Sequence, residues 1–402
     1  MPSTTLSRRE LLASAATAGA AATAGCTGSD GVPDDQRWPQ FGFDATNAAA
    51  NPDAVGPSEE PTVAWVHAAG SYYRNSTQPL VGDAVYANAW FDGVFGLAPA
   101  DGAVRWHDAG DYAQLTPALA DGTLAVPHRD GLRGVAADGG LRAFGRAVGF
   151  GRWRTDLTNP ESSPSVADEA FVLCVGTAGH GPDGGRVAAV ERADGSVRWE
   201  YSVETSVWGA PALADGVAYA AARDDDEADP DTRGTVHAID LADGAAVWSK
   251  RLGESPRFNP VGAPVVGDGL VYVPTGTGPL VALDADTGDE AWRLAPPDGV
   301  QASPALADGV LYVAGLDGTL RAVDAATGDP EWTGAGEKYY GGPTVGDRGV
   351  YAVGADGEVV SWTRNGAERW RVRIDPPVSG SPVPADGMLY VGTGDGLLYG
   401  LE

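Results

Sequence analysis

Lysine is nearly missing from this chain of 402 residues. Only Lys250 and Lys338 occur, the other basic residues are arginines, and 55 acidic side chains against 27 basic ones leave a formal charge of −28. A groove for nucleic acid needs a basic footprint over phosphates, so that function class is excluded as a default. Cysteine is equally scarce, with Cys26 and Cys174 alone. If Cys26 has the terminal role described below, a single unpaired thiol remains, which excludes a disulfide framework and a cysteine-rich metal site. The longest apolar run, Leu11 to Ala24, has 14 residues and is too short to cross a bilayer. The five histidines, His67, His107, His128, His180 and His237, show no pair at metal-ligand spacing.

Glycine (57) and proline (29) are abundant and stand beside 43% hydrophobic residues. That mixture excludes both a helical protein and whole-chain disorder, and points to many short strands divided by turns. The acidic residues recur at turns along the whole chain and are not confined to one segment. The balance resembles that of proteins from extreme halophiles, in which carboxylates hold water in concentrated salt; the competing reading is an acidic surface for a cationic ligand.

The first residues read as an address. Ser7-Arg8-Arg9-Glu10-Leu11-Leu12 precedes an alanine-rich run that ends at Thr23-Ala24-Gly25-Cys26. This resembles a twin-arginine export signal joined to a lipobox, with Thr23 where an aliphatic residue is commoner. The expected division is a signal peptide over 1–25, a tether over 26–37 with lipid on Cys26, and a folded domain over 38–402. It implies an exported, halophilic archaeal-type lipoprotein anchored to the outer face of the cell membrane. The alternative is a disordered N-terminus in a cytoplasmic protein.

The folded part repeats. Prolines that open similar units fall at Pro79, Pro117, Pro164, Pro211, Pro264, Pro304, Pro343 and Pro382, at spacings of 38, 47, 47, 53, 40, 39 and 39. Periods near 40 mean stacked supersecondary units. Each unit reads as four short strands with Asp-Gly pairs at the tight turns, which is a propeller blade. The expected fold is all-β: an eight-bladed β-propeller of four-stranded antiparallel blades. The last unit stops after its third strand at Glu402, so Val63-Ala64-Trp65-Val66 is expected to pair with it and close the ring.

The string Ala-x-Asp-x-x-Thr-Gly-x-x-x-Trp occurs intact at Ala282–Trp292 and Ala322–Trp332, and with changes at Ala238–Trp248 and Ala189–Trp199. Gly102 to Trp106 and Gly366 to Trp370 keep only the final spacing, and Phe144 stands where the second unit's Trp is expected. These strings resemble the tryptophan-docking motif of the PQQ-like, quinoprotein-type propeller family, as Trp38-Pro39-Gln40-Phe41-Gly42 resembles its opening segment. The resemblance implies that Trp65, Trp106, Trp199, Trp248, Trp292, Trp332 and Trp370 pack between blades. One branch of the family holds the quinone PQQ and Ca²⁺ in a central funnel and oxidises alcohols or sugars. Another is non-catalytic and is similar to the lipoprotein propeller of the outer-membrane assembly machinery. No adjacent cysteine pair exists here and little chain is left beyond the blades, which favours the second branch, with no cofactor.

Short regular turns occupy one face of such a disc, and loops of variable length the other. Variable loops on a rigid scaffold are where binding concentrates. On that face the candidates are Tyr72, Tyr73, Arg74, Asn75, Trp90, Gln114, Asn159, Trp208, Arg257, Asn259, Gln301, Tyr339 and Tyr340, because flat rings stack while amide and guanidinium groups orient a ligand. The competing reading has these residues capping a ligand-free funnel. No catalytic residue and no metal ligand is assigned: Asp224 to Asp231 lacks the Gly and terminal Glu of an EF-hand loop, Cys174 reads as a small buried residue, and Ser162, Ser163 and Ser303 show no His/Asp partner. The expected function is a monomeric binding or assembly scaffold, with a PQQ-dependent dehydrogenase and a polysaccharide-binding surface module as alternatives. Expected partners are other surface or membrane proteins, or a small ligand or glycan in the funnel.

Overall fold

The computed structural model describes residues 31–68, 78–89, 93–109, 115–140, 142–143, 146–148, 151–176, 184–223, 234–253, 262–374, 378 and 380–402. Eight sheets follow one another around a ring. Blade 5 shows the plan: Val265–Gly267 is innermost, then Leu270–Pro274, Leu280–Asp284 and Glu290–Leu294 outermost, all antiparallel. Its first hairpin is a two-residue turn in which Asp268 and Gly269 both take positive φ, 54° and 77°. That is the geometry whose twist matches antiparallel strands, and Asp and Gly tolerate it best. Equivalent Asp residues with positive φ occur at Asp121, Asp215, Asp308 and Asp386.

The docking motif has a physical account at each position. Asp284 Oδ1 accepts the Thr287 N–H at 2.9 Å and the Thr287 hydroxyl at 2.8 Å, which folds the turn between the third and fourth strands. Those bonds, the side-chain one foremost, hold the Asp284 carboxyl below its ordinary range. Gly288 has φ +73°, and a Cβ there would lie 2.8 Å from Cε3 of Trp248, the tryptophan of the preceding blade. Trp292 pairs in register with Ala282, and a small residue stands at this position in every blade: Gly96, Gly134, Ala189, Ala238, Ala282, Ala322, Ser361 and Gly400. A larger side chain would displace the indole that fills the seam to the next blade.

Among the described residues, seven indoles donate across a seam to a main-chain carbonyl of the next blade. Trp106 reaches Ala137, Trp199 Leu241, Trp248 Ala285, Trp292 Ala325, Trp332 Arg364 and Trp65 Pro99. The seventh is Trp153, which reaches Arg192 at 3.0 Å and lies against Gly195. Trp153 therefore fills the second docking site, while position 144 lies outside the described residues. An insertion separates Trp153 from Gly139, so the Gly-to-Trp spacing of the motif is lost there. Residues Arg142–Ala143 and Arg146–Val148 of that insertion extend the sheet of blade 1. Trp370 packs in its seam, but its Nε1 finds no acceptor among the described residues.

The ring closes as the strand pattern requires. Val63–Ala68 pairs antiparallel with Leu397–Leu401, Trp65 opposite Gly400 and Val66 opposite Tyr399, so blade 8 combines both ends of the chain. Thr62 and Glu402 exchange main-chain hydrogen bonds of 2.8 and 3.0 Å just below that pairing.

Candidate functional site

The first described residues do not form a free linker; they pack on the ring from Val32 onward. From Gln36 to Val55 the chain passes along the axis and meets the innermost strand of each blade in order. Trp38 exchanges hydrogen bonds with Val81 of blade 1, and Leu119 of blade 2 donates to Pro39 O. Val166 of blade 3 donates to the Gln40 side chain, and Leu213, Val266, Leu306 and Val345 of blades 4 to 7 donate to the carbonyls of Ala45, Thr46, Ala48 and Ala49. In blade 8 the matching position is Pro384, which has no N–H. There Gly387 donates to Val55 O and Asp386 to Gln36 Oε1, where the segment arrives and leaves. Inner-strand N–H groups that would face an open channel are thus satisfied by the chain itself.

This axial plug is tightly determined. Asn47, fully buried with φ 58°, donates its amide to Ala210 O and Pro264 O at 3.0 Å, tying it to blades 4 and 5. Asp44 Oδ1 accepts from Thr46 N, Thr46 Oγ1 and Ala48 N at 3.0, 2.7 and 3.2 Å. Burial raises the Asp44 pKa, and those hydrogen bonds oppose the shift. Gln78 Oε1 holds the N–H of Gly42 at 3.1 Å. Sequence reasoning missed Gln40, Asp44 and Asn47 because they belong to no repeat, the opening Trp38-Pro39-Gln40-Phe41-Gly42 being their only signal, and it missed Gln78 because its neighbours in the repeat differ from it.

The lead-in turns before the strand prolines crowd together around the axis. A Cβ on Gly209 would meet Ala263 Cα at 2.7 Å, one on Gly262 the Gln301 carbonyl at 2.8 Å, and one on Gly342 the Ser303 carbonyl at 2.5 Å. The residues preceding those prolines are Gln78, Thr116, Ser163, Ala210, Ala263, Ser303, Gly342 and Ser381, all neutral. A tricarboxylate quinone with Ca²⁺ needs cationic groups for its carboxylates and anionic oxygens for its metal. Those eight positions supply neither, and among the described residues no three of His, Cys, Asp and Glu stand together as a metal cluster. Those positions do not fit that pair.

Of the loop-face candidates, Tyr72, Tyr73, Arg74, Asn75, Trp90, Gln114, Arg257 and Asn259 lie outside the described residues, as does Cys26. Trp208 is half-buried where the inner strand of blade 4 bulges toward Gly209. Gln301 is exposed in the lead-in to blade 6. Tyr340, 42% exposed, lies in the lead-in to blade 7 with the Lys338 ammonium 5.9 Å over its ring. These three residues belong to one arc of blades on one face. Asn159 organises a loop: its N–H donates to Arg129 O, its carbonyl accepts from Gly176 N, and its amide donates to Glu161 Oε1 at 2.9 Å. Tyr339 is a correction. It is fully buried, its hydroxyl has no partner among the described residues, and burial raises its pKa, so it is an anchor beneath Tyr340 and not a surface group. Cys174 is buried and its thiol is pushed up to about 12 by desolvation, which makes it inert.

A family model described as outer membrane protein assembly factor BamB matches residues 137–229, 232–339 and 334–402. The BamB of Yersinia pestis is 27% identical over 231 residues, 52% of this chain and 51% of that protein. The chain thus spans about half the length of the curated relatives it matches first. Among solved structures, BamB from Moraxella catarrhalis superposes with a TM-score of 0.63 at 19% identity, covering 84% of this chain and 99% of its own. The quinohemoprotein alcohol dehydrogenase of Comamonas testosteroni gives 0.73 at 14% identity, covering 91% and 80%. At such identities the two superpositions show the fold alone.

Proposed function

The chain belongs to the outer membrane protein assembly factor BamB family, and from that premise we propose that it is an exported, lipid-anchored, non-catalytic propeller that holds partner proteins through its variable-loop face. The observation that carries this reading is the axial plug. The chain's own segment from Gln36 to Val55 takes the inner-strand N–H groups, and above it the lead-in backbones of Gly209, Gly262 and Gly342 are crowded and the residues before the strand prolines are neutral. What is left for binding is the outer loop surface, where Tyr340, Trp208 and Gln301 offer rings and an amide on a rigid frame. The relatives' name, an assembly factor of the outer membrane, supports a role beside other membrane proteins. Cys26 after Thr23-Ala24-Gly25 supplies the anchor in this reading, and the twin-arginine pair Arg8-Arg9 the export route.

The test is titration of the purified chain with PQQ and Ca²⁺ in high salt, followed by dye reduction with alcohols and aldoses, alongside capture of partners from salt-stable membranes. Capture of a membrane protein that is lost in Tyr340→Ala, with no quinone turnover, is the expected result. Stoichiometric quinone binding with turnover reverses the reading.

A further inference from the structure

The position at which the N-terminal segment meets the ring decides how the ring stands on a membrane. Gly31 lies against Asp83, and the Arg37 guanidinium pairs with Asp83 in the turn between the two inner strands of blade 1. Gln36 accepts from Asp386 in the same turn of blade 8 at 2.8 Å. Val32 is buried in the seam between these blades with Val81, Val383 and Tyr390. The chain therefore leaves the disc near its axis, on the short-turn face, opposite the variable loops.

We infer that this short-turn face is the membrane-facing surface and that the variable-loop face is turned away from the lipid. The inference rests on Cys26 being the lipidated residue. Between Cys26 and Gly31 lie five Cα steps, which reach about 17 Å at full extension. Going from an innermost strand to the rim crosses three strand gaps, about 14 Å at ~4.8 Å each. Climbing the blade to the far face adds about 17 Å for five residues of strand. That path of about 31 Å exceeds the tether, so the loop face cannot lie against the bilayer without unseating Val32. The partner of the short-turn face is thus a lipid surface held at close range. An aspartate stands in the first turn of every blade, Asp83, Asp121, Asp168, Asp215, Asp268, Asp308, Asp347 and Asp386, so this face stays hydrated and does not insert. In molar salt its repulsion from anionic headgroups is screened within about 3 Å.

The experiment uses the lipidated full-length chain in vesicles containing a headgroup spin-labelled lipid. Single fluorophores are attached at Asp286→Cys on the short-turn face or Gln301→Cys on the loop face, both exposed positions, while buried Cys174 stays unlabelled. Several-fold stronger quenching at position 286 than at 301 is expected, and ten flexible residues inserted after Cys26 should equalise the two. Equal or reversed quenching in protein that floats with the vesicles overturns the orientation alone. If Cys26→Ser floats as well as the parent chain, the anchoring itself is wrong and the orientation falls with it.

Discussion

Tyr272 and Trp292 of blade 5 donate to the same oxygen, the carbonyl of Ala325 in blade 6, each at 3.1 Å. Their rings are tilted by 46° with centroids 5.8 Å apart. Tyr219 and Trp248 converge in the same way on Ala285 O, at 3.3 and 2.8 Å, and Tyr390 and Trp65 on Pro99 O, at 3.5 and 2.9 Å. A carbonyl has two lone pairs, and at these seams both are filled by the neighbouring blade. The arrangement predicts energetic coupling. Tyr272→Phe alone should cost about 0.5–1.5 kcal/mol, because the tryptophan still serves the oxygen. Tyr272→Phe with Trp292→Phe should cost more than the two singles together, by about 0.5–3 kcal/mol, because Ala325 O is then buried bare. Denaturant unfolding of the four proteins in high salt measures this, and additivity would contradict the shared acceptor.

Two glycine substitutions separate strain from collision. Gly269 and Gly288 have nearly the same positive φ, 77° and 73°, but a Cβ at 269 meets nothing within 4 Å whereas one at 288 meets Trp248 at 2.8 Å. Gly269→Ala is expected to cost about 1 kcal/mol for the left-handed backbone alone. Gly288→Ala should cost at least about 2 kcal/mol more, because the indole must move in a close-packed seam. Equal melting temperatures for the two variants would show that the Trp248 contact is not tight.

Trp153 should behave as a docking residue although it lies outside the repeat string. Its ring is partly buried in the seam against Phe171 and Gly195 and its N–H reaches Arg192 O, so its truncation to Ala is expected to cost about 3 kcal/mol. Trp208→Ala, in a half-buried loop-face position, should change stability by less than about 1 kcal/mol. Thermal melts of the two variants side by side decide it.

The plug and the closing strand should be needed for the whole ring. Removing residues 61–67 leaves blade 8 without its outermost strand and opens an edge beside blade 1, so cooperative unfolding is expected. Asn47→Ala loses two buried hydrogen bonds and keeps a positive φ without the side chain that favours it, a cost of about 2–4 kcal/mol. Hydrogen exchange should then rise at Leu213 and Val266, whose N–H groups the plug covers. Unchanged protection there would mean that the plug does not seal the inner strands.

His237 predicts an acid-sensitive seam. Burial lowers its pKa from 6.5 to about 4, and its Nδ1 lies 3.2 Å from the Tyr201 hydroxyl of the preceding blade. The unfolded chain binds the proton first as pH falls from about 6.5, so this stability is present above that pH and is lost as pH falls toward 4. The full effect is roughly 3 kcal/mol. Melting temperatures from pH 7 to pH 4 should fall less steeply in His237→Gln than in the parent chain; parallel curves would remove His237 from the acid limb.

Much of the ring was legible in the chain because each blade is a local object. Its turns need Asp-Gly at positive φ, its seams need a Gly or Ala against a Trp, and these demands recur at a period near 40 that no tertiary contact is required to reveal. Val63 to Val66 could be assigned to blade 8 for the same reason, since a unit lacking its Trp strand and a spare Trp strand have one economical solution. Trp153 escaped the repeat pattern because an insertion broke the spacing while the indole kept its contact. Tyr339 and Tyr340 look alike in sequence, but only burial separates the anchor from the surface ring.

The sequence alone determined the number of blades, the direction of their strands, the closure by both ends and the acidic, lysine-poor composition. These follow from short-range chemistry repeated many times. Only the tertiary structure decided what fills the axis and where the chain leaves the disc. The segment from Gln36 to Val55 has no period, and its hydrogen-bond partners run from Val81 to Gly387. Each of those N–H groups looks ordinary in its own strand, and they become one continuous site only when eight blades bring them around a common axis.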